Sequence, residues 1–311
     1  MLSLWYSDLY TNGLDEEARF PRERYRRVRA GLRYAEECGK IEFREAGPLA
    51  LEPVLRIHDR EYVERFLGGN LSEREQRRIG LRPWKREIVE RTLVLTNGTV
   101  EATREAIESG GIAGNVGGGT HHAYENFGSG YCIFNDLAIA AREAQETLGV
   151  GSVLILDLDV HQGDGTAAIF EGDPTVRTVS LHCGTNFPFR KMRSDRDVSL
   201  AEGMDDDAYL CILERVLAEE ARIQQWDLIL FQAGVDVLVT DRLGHLALSE
   251  EGVRERNKKV FAFAAAVDAP LVVTMGGGYG MPLDTSVRAH CNLFEDAALN
   301  SLPAGIQEDR N

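Results

Sequence analysis

The sequence predicts an α/β fold with a central, mostly parallel open sheet and helices on both of its faces. Short apolar runs alternate with amphipathic stretches from about residue 110 to residue 300. This alternation is typical of strands and helices that build a parallel sheet. No linker, internal repeat or low-complexity tract interrupts the 311 residues, so we expect a single domain over 1–311.

The apolar runs are the candidate strands, because each is short and is bounded by glycine or polar residues. They are 2–6, 112–117, 152–157, 176–181, 227–233 and 270–275. The candidate helices are 22–38, 84–109, 136–148, 206–224 and 250–268. Asp205, Asp206 and Asp207 supply an acidic first turn to the helix at 206–224, and Ser249 is the expected N-cap of the last helix.

Charge and composition argue against several classes of protein. The formal net charge of -15 argues against binding to nucleic acid, which needs a basic surface. No uninterrupted apolar stretch reaches about 18 residues, so we expect no membrane span or membrane partner. The first residues do not resemble a signal peptide, and the five scattered cysteines form no CxxC pair. We therefore expect a cytoplasmic protein with reduced thiols.

Polar or glycine-rich segments follow five of the candidate strands. In open α/β sheets, ligands bind in the crevice beyond the carboxyl ends of the strands. The five segments are 118–122, 157–161, 182, 234–236 and 276–279. Their coincidence at one edge of the sheet predicts a functional site there.

The alternating run of Asp157, Asp159 and His161 is the strongest single signal. On an extended strand, residues at i, i+2 and i+4 point to one face, so these side chains are expected to lie together. Two ionised carboxylates buried at one place are costly without a cation. The run therefore predicts a divalent metal site. The glycines at 117–119 have neither the Rossmann spacing nor the Walker lysine, which argues against a phosphate-binding loop.

These segments together resemble motifs of the histone deacetylase family, most closely its class IV branch and the bacterial relatives of that branch. The resemblance covers about residues 115–280, and the motifs follow the order of the family. The matching segments are 119–123 (GTHHA), 130–136 (GYCIFND), 156–165 (LDLDVHQGDG), 179–182 (VSLH), 232–236 (QAGVD), 241–244 (DRLG) and 276–279 (GGGY).

The resemblance implies an arginase–deacetylase fold and the hydrolysis of an N-acyl amide, acetyl or longer, on a lysine side chain or a similar amine. It implies that Asp159, His161 and Asp236 hold the catalytic metal ion. Zinc is the expected ion, and ferrous iron is the alternative because two oxygen ligands and one nitrogen ligand suit both. The implied partner is an acylated lysine in a peptide or protein, or an acylated amine.

The resemblance also implies roles for five catalytic residues. His121 and His122 match the tandem histidine pair of the family. Asp157 and Asp164 are then expected to face His121 and His122, respectively, and to orient the two rings. Tyr279 matches the family's catalytic tyrosine, which donates a hydrogen bond to the tetrahedral oxyanion.

Two further groups of residues are implied by the resemblance. A structural potassium ion is expected at Asp157, Asp159, His161, Ser180 and Leu181, and backbone oxygens of Phe170, Asp173 and Val176 match a second monovalent site. Gly130 and Tyr131 match one wall of a substrate tunnel. The opposite wall is expected to be Phe187 and Phe189, whose aromatic faces suit a methylene chain.

Three alternative functions remain. A deacetylase of acetylpolyamines would have an acidic gatekeeper where this chain has Leu243, which argues against strong polyamine selectivity. A dimanganese ureohydrolase needs two carboxylates in the segment 232–238, which offers only Asp236. A non-catalytic acyl-binding module is disfavoured because all the reactive side chains are present. We expect His245, where the class IV pattern more commonly has glycine, to be exposed.

Overall fold

The computed structural model describes residues 1–15 and 18–301, so 16–17 and 302–311 of the predicted domain lie outside the described residues. Its strands, numbered in chain order, are β1 Leu2–Trp5, β2 Ile41–Arg44, β3 Ile112–Asn115, β4 Val153–Asp157, β5 Val176–Cys183, β6 Arg196–Leu200, β7 Leu228–Gln232 and β8 Leu271–Thr274. They form one sheet in the order β2-β1-β3-β8-β7-β4-β5-β6. Every pairing is parallel, which confirms the predicted α/β fold.

Helices flank this sheet and connect its strands. They are α1 Glu23–Gly31, α2 Arg33–Glu37, α3 Leu51–Leu55, α4 Arg60–Leu67, α5 Glu73–Ile79, α6 Ile88–Ser109, α7 Asp136–Thr147, α8 Asp164–Ile169, α9 Asp206–Ile223, α10 Glu250–Ala266 and α11 Leu283–Asn300. α6 packs on α7, and α10 packs on both α9 and α11. No helix in the described part of the chain is long and apolar enough to cross a membrane.

The centre of the sheet is a continuous apolar core. All residues of β4, β7 and β8 are buried. Central strands of a parallel sheet are covered by helices on both faces, which is why these strands have apolar runs rather than alternating patterns. Burial of each leucine or isoleucine side chain stabilises the fold by about 1.5–3 kcal/mol relative to exposure.

The predicted N-cap Ser249 is confirmed, and of the three aspartates predicted for the first turn of the helix at 206–224, Asp205 is instead its N-cap. The hydroxyl of Ser249 accepts a hydrogen bond from the Gly252 amide at the start of α10. Asp205 caps α9 by accepting from the Ala208 amide, so Asp206 and Asp207 form the acidic first turn.

Two strands and several helices were not predicted, and one predicted helix is divided. β2 and β6 are the edge strands, and only one residue of each is fully buried. Neither strand therefore has a continuous apolar run. The predicted helix at 22–38 consists of α1 and α2, which are separated at Leu32. The unpredicted helices are α3, α4, α5, α8 and α11.

Candidate active site

A cavity of about 420 Å³ opens at the carboxyl edge of the sheet. The four strands β3, β8, β7 and β4 are neighbours in the sheet, so the loops that follow them meet at this edge. Four of the five predicted segments contribute to the cavity lining. His182 does not, because it lies within β5, where its Nδ1 is 3.0 Å from the Ser180 hydroxyl. The lining includes Gly118, Gly119, Thr120, His121, His122, Asp159, His161, Asp236, Gly276, Gly277 and Tyr279.

Asp159, His161 and Asp236 form a buried cluster that can hold one metal ion. One ligand atom from each lies within 4.8 Å of the other two. His161 Nδ1 is 2.9 Å from Asp159 Oδ1 and 3.2 Å from Asp236 Oδ2. Burial, and then the Asp159 carboxylate, raise the pKa of Asp236 to about 7. Two carboxylates and one imidazole are a donor set that fits a divalent cation. A bound cation would relieve the electrostatic repulsion between the Asp159 and Asp236 carboxylates.

The strand alternation from which we expected Asp157, Asp159 and His161 to share one face does not extend beyond Asp157. β4 ends at this residue, and the chain then leaves the sheet. Asp157 Oδ2 instead lies 2.6 Å from Nδ1 of His121. Asp157 Oδ1 accepts a hydrogen bond from the Asp159 amide, which shapes the turn that presents the metal-site residues.

Gln232 and Gly277 support the buried Asp159 carboxylate. Asp159 Oδ2 accepts hydrogen bonds from Gln232 Nε2 at 2.9 Å and from the Gly277 amide at 2.8 Å. A Cβ at Gly277 would collide with Asp236 Oδ2 and would lie 2.8 Å from Asp159 Oδ2. The close approach of this loop to both carboxylates therefore requires glycine.

The two neighbouring histidines each have their own carboxylate. His121 Nδ1 lies 2.6 Å from Asp157, and His122 Nδ1 lies 2.6 Å from Asp164 Oδ1. The other oxygen of Asp164 accepts a hydrogen bond from the Tyr124 hydroxyl. All four members of the two pairs are buried, as the sequence predicted for the pairing.

The two imidazoles have opposite pKa shifts. Burial lowers the pKa of His121, but the carboxylates of Asp157 and Asp159 outweigh burial and raise the pKa to about 9. Burial, and then the neighbouring charge of His121, lower the pKa of His122 to about 4. The carboxylates thus favour the protonated form of His121, and burial favours the neutral form of His122, which can accept a proton.

Asp136 braces the loop that carries the histidine pair, a role that we did not predict from the sequence. This fully buried carboxylate accepts hydrogen bonds from the Thr99 hydroxyl and the Gly119 amide through Oδ2. Through Oδ1 it accepts from the amide and the hydroxyl of Thr120. Four hydrogen bonds to one carboxylate fix the two residues that precede His121.

Tyr279 directly follows the glycine-rich loop 276–278 and lines the cavity. Its side chain is 7 % exposed. Burial raises the pKa of its hydroxyl well above the usual range, so the hydroxyl remains a donor at neutral pH. The backbone amide of Tyr279 donates to Asp241 Oδ2 at 2.6 Å, and Arg242 Nε donates to its carbonyl. These bonds hold the tyrosine at the cavity wall.

The predicted tunnel walls differ from the expectation at one residue. Gly130, Tyr131 and Phe187 line the cavity, and a Cβ at Gly130 would lie 2.5 Å from His122 Cδ2 and 3.2 Å from Phe187 Cε1. Phe187 packs edge-on against His122, with ring centroids 4.9 Å apart. Phe189 also borders the cavity and contacts Phe187 edge to face, but its side chain is 91 % exposed, so it does not form a buried wall.

Two buried arginines line the inner end of the cavity. Arg24 Nη1 donates to the Gly278 carbonyl, and its guanidinium lies 5.6 Å from the centroid of the Tyr279 ring. Arg91 donates to the Tyr10 carbonyl and to the Tyr25 hydroxyl. Within the described residues neither arginine forms an ion pair with a carboxylate, so this end of the cavity is positively charged.

The residues predicted for monovalent cations lie around β4 and β5. Asp157 and Ser180 are register partners on these neighbouring strands, and Leu181 follows Ser180 in β5. Asp173 lies between α8 and β5, where its carboxylate pairs with Arg142. His245 is exposed at the cavity mouth, as predicted, with Nδ1 2.9 Å from Glu202 Oε1.

Comparisons with known proteins agree with the fold and the motifs. The family model described as "Histone deacetylase domain" matches residues 18–294. An uncharacterized protein of Picosynechococcus sp. is 41% identical over 297 residues, which are 94% of this chain and 97% of that protein. Histone deacetylase 2 of Arabidopsis thaliana is 35% identical over 208 residues, which are 66% of this chain and 53% of that protein.

Structural similarity extends over nearly the whole chain. A crystal structure of the HDA15 HD domain has a TM-score of 0.80, with 96% of this chain and 94% of that chain covered at 19% sequence identity, and it therefore shares the fold. The chain spans about half the length of the curated histone deacetylase of Arabidopsis described above. Because the family model matches most of the chain, this protein belongs to the histone deacetylase family.

Proposed function

We propose that this protein is a metal-dependent amidohydrolase that removes an acetyl or longer acyl group from a lysine side chain or a similar amine. Membership of the histone deacetylase family supports a deacetylase reaction. The observation that carries the proposal is the convergence of a metal-binding cluster, two His–Asp pairs and a tyrosine hydroxyl on one cavity. Each of these groups has a function in amide hydrolysis.

The metal ion would be held by Asp159, His161 and Asp236. Zinc, with ferrous iron as the alternative, would supply Lewis acidity to the amide carbonyl and to water. The two carboxylates balance the charge of a divalent ion, and three protein ligands are the usual number for a catalytic site with an open position.

His122 is the proposed general base and general acid. Its lowered pKa leaves the ring neutral at pH 7, and its Nδ1 is engaged by Asp164. The remaining nitrogen, Nε2, can then take a proton from the attacking water and pass it to the leaving amine. His121 faces the Asp157 carboxylate, and its proposed role is to stabilise negative charge that develops on the substrate.

Tyr279 is the proposed oxyanion donor. Its hydroxyl keeps its proton because burial raises its pKa, so it can donate a hydrogen bond to the carbonyl oxygen as the tetrahedral species forms. Loss of one such donor costs about 2.7–4 kcal/mol of transition-state stabilisation in other hydrolases.

The amine side of the substrate would pass between Tyr131 and Phe187. Both side chains line the cavity, and the Phe187 ring contacts the ring of His122, the proposed base.

A potassium site at Asp157, Asp159, His161, Ser180 and Leu181 remains a proposal, supported by the adjacency of Asp157 and Ser180 in the sheet. Its proposed function is structural.

Two of the alternatives receive less support. A ureohydrolase needs a second carboxylate near Asp236 to hold a second metal ion. Gln232, which donates a hydrogen bond to Asp159 in this cluster, is an amide and does not supply that carboxylate. A polyamine substrate would favour acidic groups at the mouth, and Leu243 borders the cavity there.

Two substitutions test the proposal on an acetyl-lysine peptide. Tyr279→Phe should retain the bound metal and lose about 100-fold or more in kcat, in line with the loss of one oxyanion donor. Asp236→Ala should lose both the metal and turnover. The exposed Tyr34→Phe and Asp207→Ala are matched controls that should behave like the unmodified protein. Unchanged turnover in Tyr279→Phe would refute the role of the tyrosine, and full metal retention in Asp236→Ala would refute the ligand set.

A further inference from the structure

The segments that form the mouth of the cavity are basic, although the chain has a net charge of -15. The segment 72–86 contains six arginine or lysine residues and two glutamates, and it contributes Arg78, Ile79 and Gly80 to the cavity lining. The segment 185–193 contains three basic residues and no acidic one, and it contributes Phe187 and Phe189. Two segments with a net positive charge therefore border the cavity.

Arg78 is held at the mouth by the chain around it. Its guanidinium lies 4.3 Å from the centroid of the Phe127 ring, and its carbonyl accepts a hydrogen bond from the Gly130 amide. The next carbonyl, that of Ile79, accepts from the Tyr131 amide at 2.7 Å. The end of α5 is thus fixed to the wall of the cavity, and the exposed Arg78 side chain is fixed with it.

Arg190 and Lys191 directly follow Phe189, which borders the cavity. Arg190 is exposed. Lys191 Nζ donates to the carbonyl oxygens of Asn186 and Pro188, both at 2.6 Å, which ties the loop together without a carboxylate. The positive charge of this loop is therefore not neutralised within the loop.

Acidic side chains do not balance these cations in the described part of the molecule. Arg78, Arg190 and Arg242 form no ion pair with any described residue, and the carboxylates that line the cavity are those of the metal site, Asp159 and Asp236. Glu202, which lies 2.9 Å from His245 Nδ1 and accepts a hydrogen bond from the Thr185 hydroxyl, forms no ion pair with these three arginines among the described residues. The cations are therefore available to a ligand.

We propose that the acylated lysine is presented by an acidic polypeptide, with aspartate or glutamate residues next to the lysine in its sequence. This inference rests on the proposed amide hydrolysis and names the class of its substrate. Arginine binds carboxylates through charged hydrogen bonds of fixed geometry, and a basic mouth on an acidic protein steers anionic ligands to the cavity. The same charges would repel a basic peptide tail or a polyamine.

The experiment compares three acetyl-lysine peptides that differ only in the four residues around the lysine, which are acidic, neutral or basic. The metal-loaded full-length protein should have a kcat/KM for the acidic peptide about 10-fold above that for the neutral one at low salt. The basic peptide should be the poorest substrate. The advantage of the acidic peptide should shrink to about 2-fold at about 0.5 M salt, because ions screen exposed charges.

A double variant identifies the source of the preference. Arg78→Gln with Arg190→Gln should reduce the ratio of acidic to neutral kcat/KM from about 10 to about 2. Arg215→Gln removes the same kind of charge from an exposed position of α9, which contributes no residue to the cavity lining, and should leave the ratio unchanged.

Equal kcat/KM for all three peptides, or a preference for the basic one, would overturn the inference, while turnover of the neutral peptide would still support the amidohydrolase. Stronger competition by a short single-stranded DNA than by a non-acylated acidic peptide of equal charge would also overturn it, because the arginines would then serve nucleic acid. No turnover of any peptide would refute the amidohydrolase proposal on lysine substrates, and the inference with it.

Discussion

The guanidinium of Arg256 donates a 2.6 Å hydrogen bond to the carbonyl oxygen of Gly234, two residues before Asp236. The same fully buried side chain donates to the carbonyls of Ala233 and Leu158, each at 3.2 Å. Leu158 immediately precedes Asp159, so Arg256 connects the two strand ends that carry the carboxylates of the metal cluster. α10 therefore contributes to the site without a residue in the cavity.

Arg256→Met should destabilise the protein and weaken metal binding. The substitution leaves three buried carbonyl oxygens without this partner, and each unsatisfied buried group costs about 1–3 kcal/mol. We expect the free energy of unfolding to fall by about 3 kcal/mol or more in chemical denaturation. Lys258→Met, on the same helix, removes an exposed pair with Glu255 and should cost about 1 kcal/mol or less. Equal losses for the two variants would contradict the bracing role.

Gln232→Leu should reduce metal affinity without removing a ligand. Gln232 Nε2 orients the Asp159 carboxylate, and loss of such an outer partner typically lowers metal affinity about 10- to 100-fold. Competition with a fluorescent zinc chelator measures this change. Gln224→Leu, an exposed position at the end of α9, is the control. An affinity in Gln232→Leu equal to that of the control would show that Gln232 does not support the ligand.

Asp164→Asn should impair turnover while the metal stays bound. The carboxylate holds Nδ1 of His122, so an amide in its place disturbs the tautomer and the orientation of the proposed base. General acid–base catalysis contributes about 10²–10⁴-fold, and we expect kcat to fall by about 100-fold or more. Asp173→Asn, which weakens a surface pair with Arg142, should retain turnover. A kcat within a factor of about two of the control would argue against His122 as the base.

Gly130→Ala should block the substrate passage. Gly130 has a φ of +52°, and a methyl group there would press on His122 and Phe187. Gly149 has a φ of +72° and no atom within 4 Å of an added Cβ, so Gly149→Ala reproduces the backbone strain without the contact. Backbone strain should cost each variant about 1 kcal/mol of stability, and the contact with His122 should add to the loss in Gly130→Ala. Only Gly130→Ala should show a large fall in kcat/KM, and a matching fall in Gly149→Ala would assign the effect to strain alone.

The third metal ligand, Asp236, and the two His–Asp pairs were assigned from the resemblance to the histone deacetylase family, whose motifs directly follow apolar strands in this chain. Asp159 and His161 belong to one such motif, and the parallel sheet brings Asp236 to the same edge. The geometric argument for Asp157 failed because the strand ends at that residue, whereas the family resemblance assigned it correctly to His121.

The supporting residues could not be predicted from local patterns. Asp136 contacts Thr99, and Arg256 contacts Leu158, across 37 and 98 residues of sequence. The sequence around a buried arginine in a helix does not differ from the sequence around a solvent-exposed one. The edge strands were missed because half-exposed strands lack an apolar run, but α11 had a usable signal in Pro282 followed by Asp284 at its start.

The number of metal ions needed for activity distinguishes a site with one catalytic ion from a site with two or with none. The chelator-treated protein is titrated with Zn²⁺, and hydrolysis of a neutral acetyl-lysine peptide is measured at each step. We expect no hydrolysis by the treated protein. The rate should then rise linearly with added Zn²⁺ and level off at one equivalent per chain, since one cluster of three ligands is found in the described residues. Full activity in the treated protein, or a rise that ends at two equivalents, would contradict the proposed site with one catalytic ion.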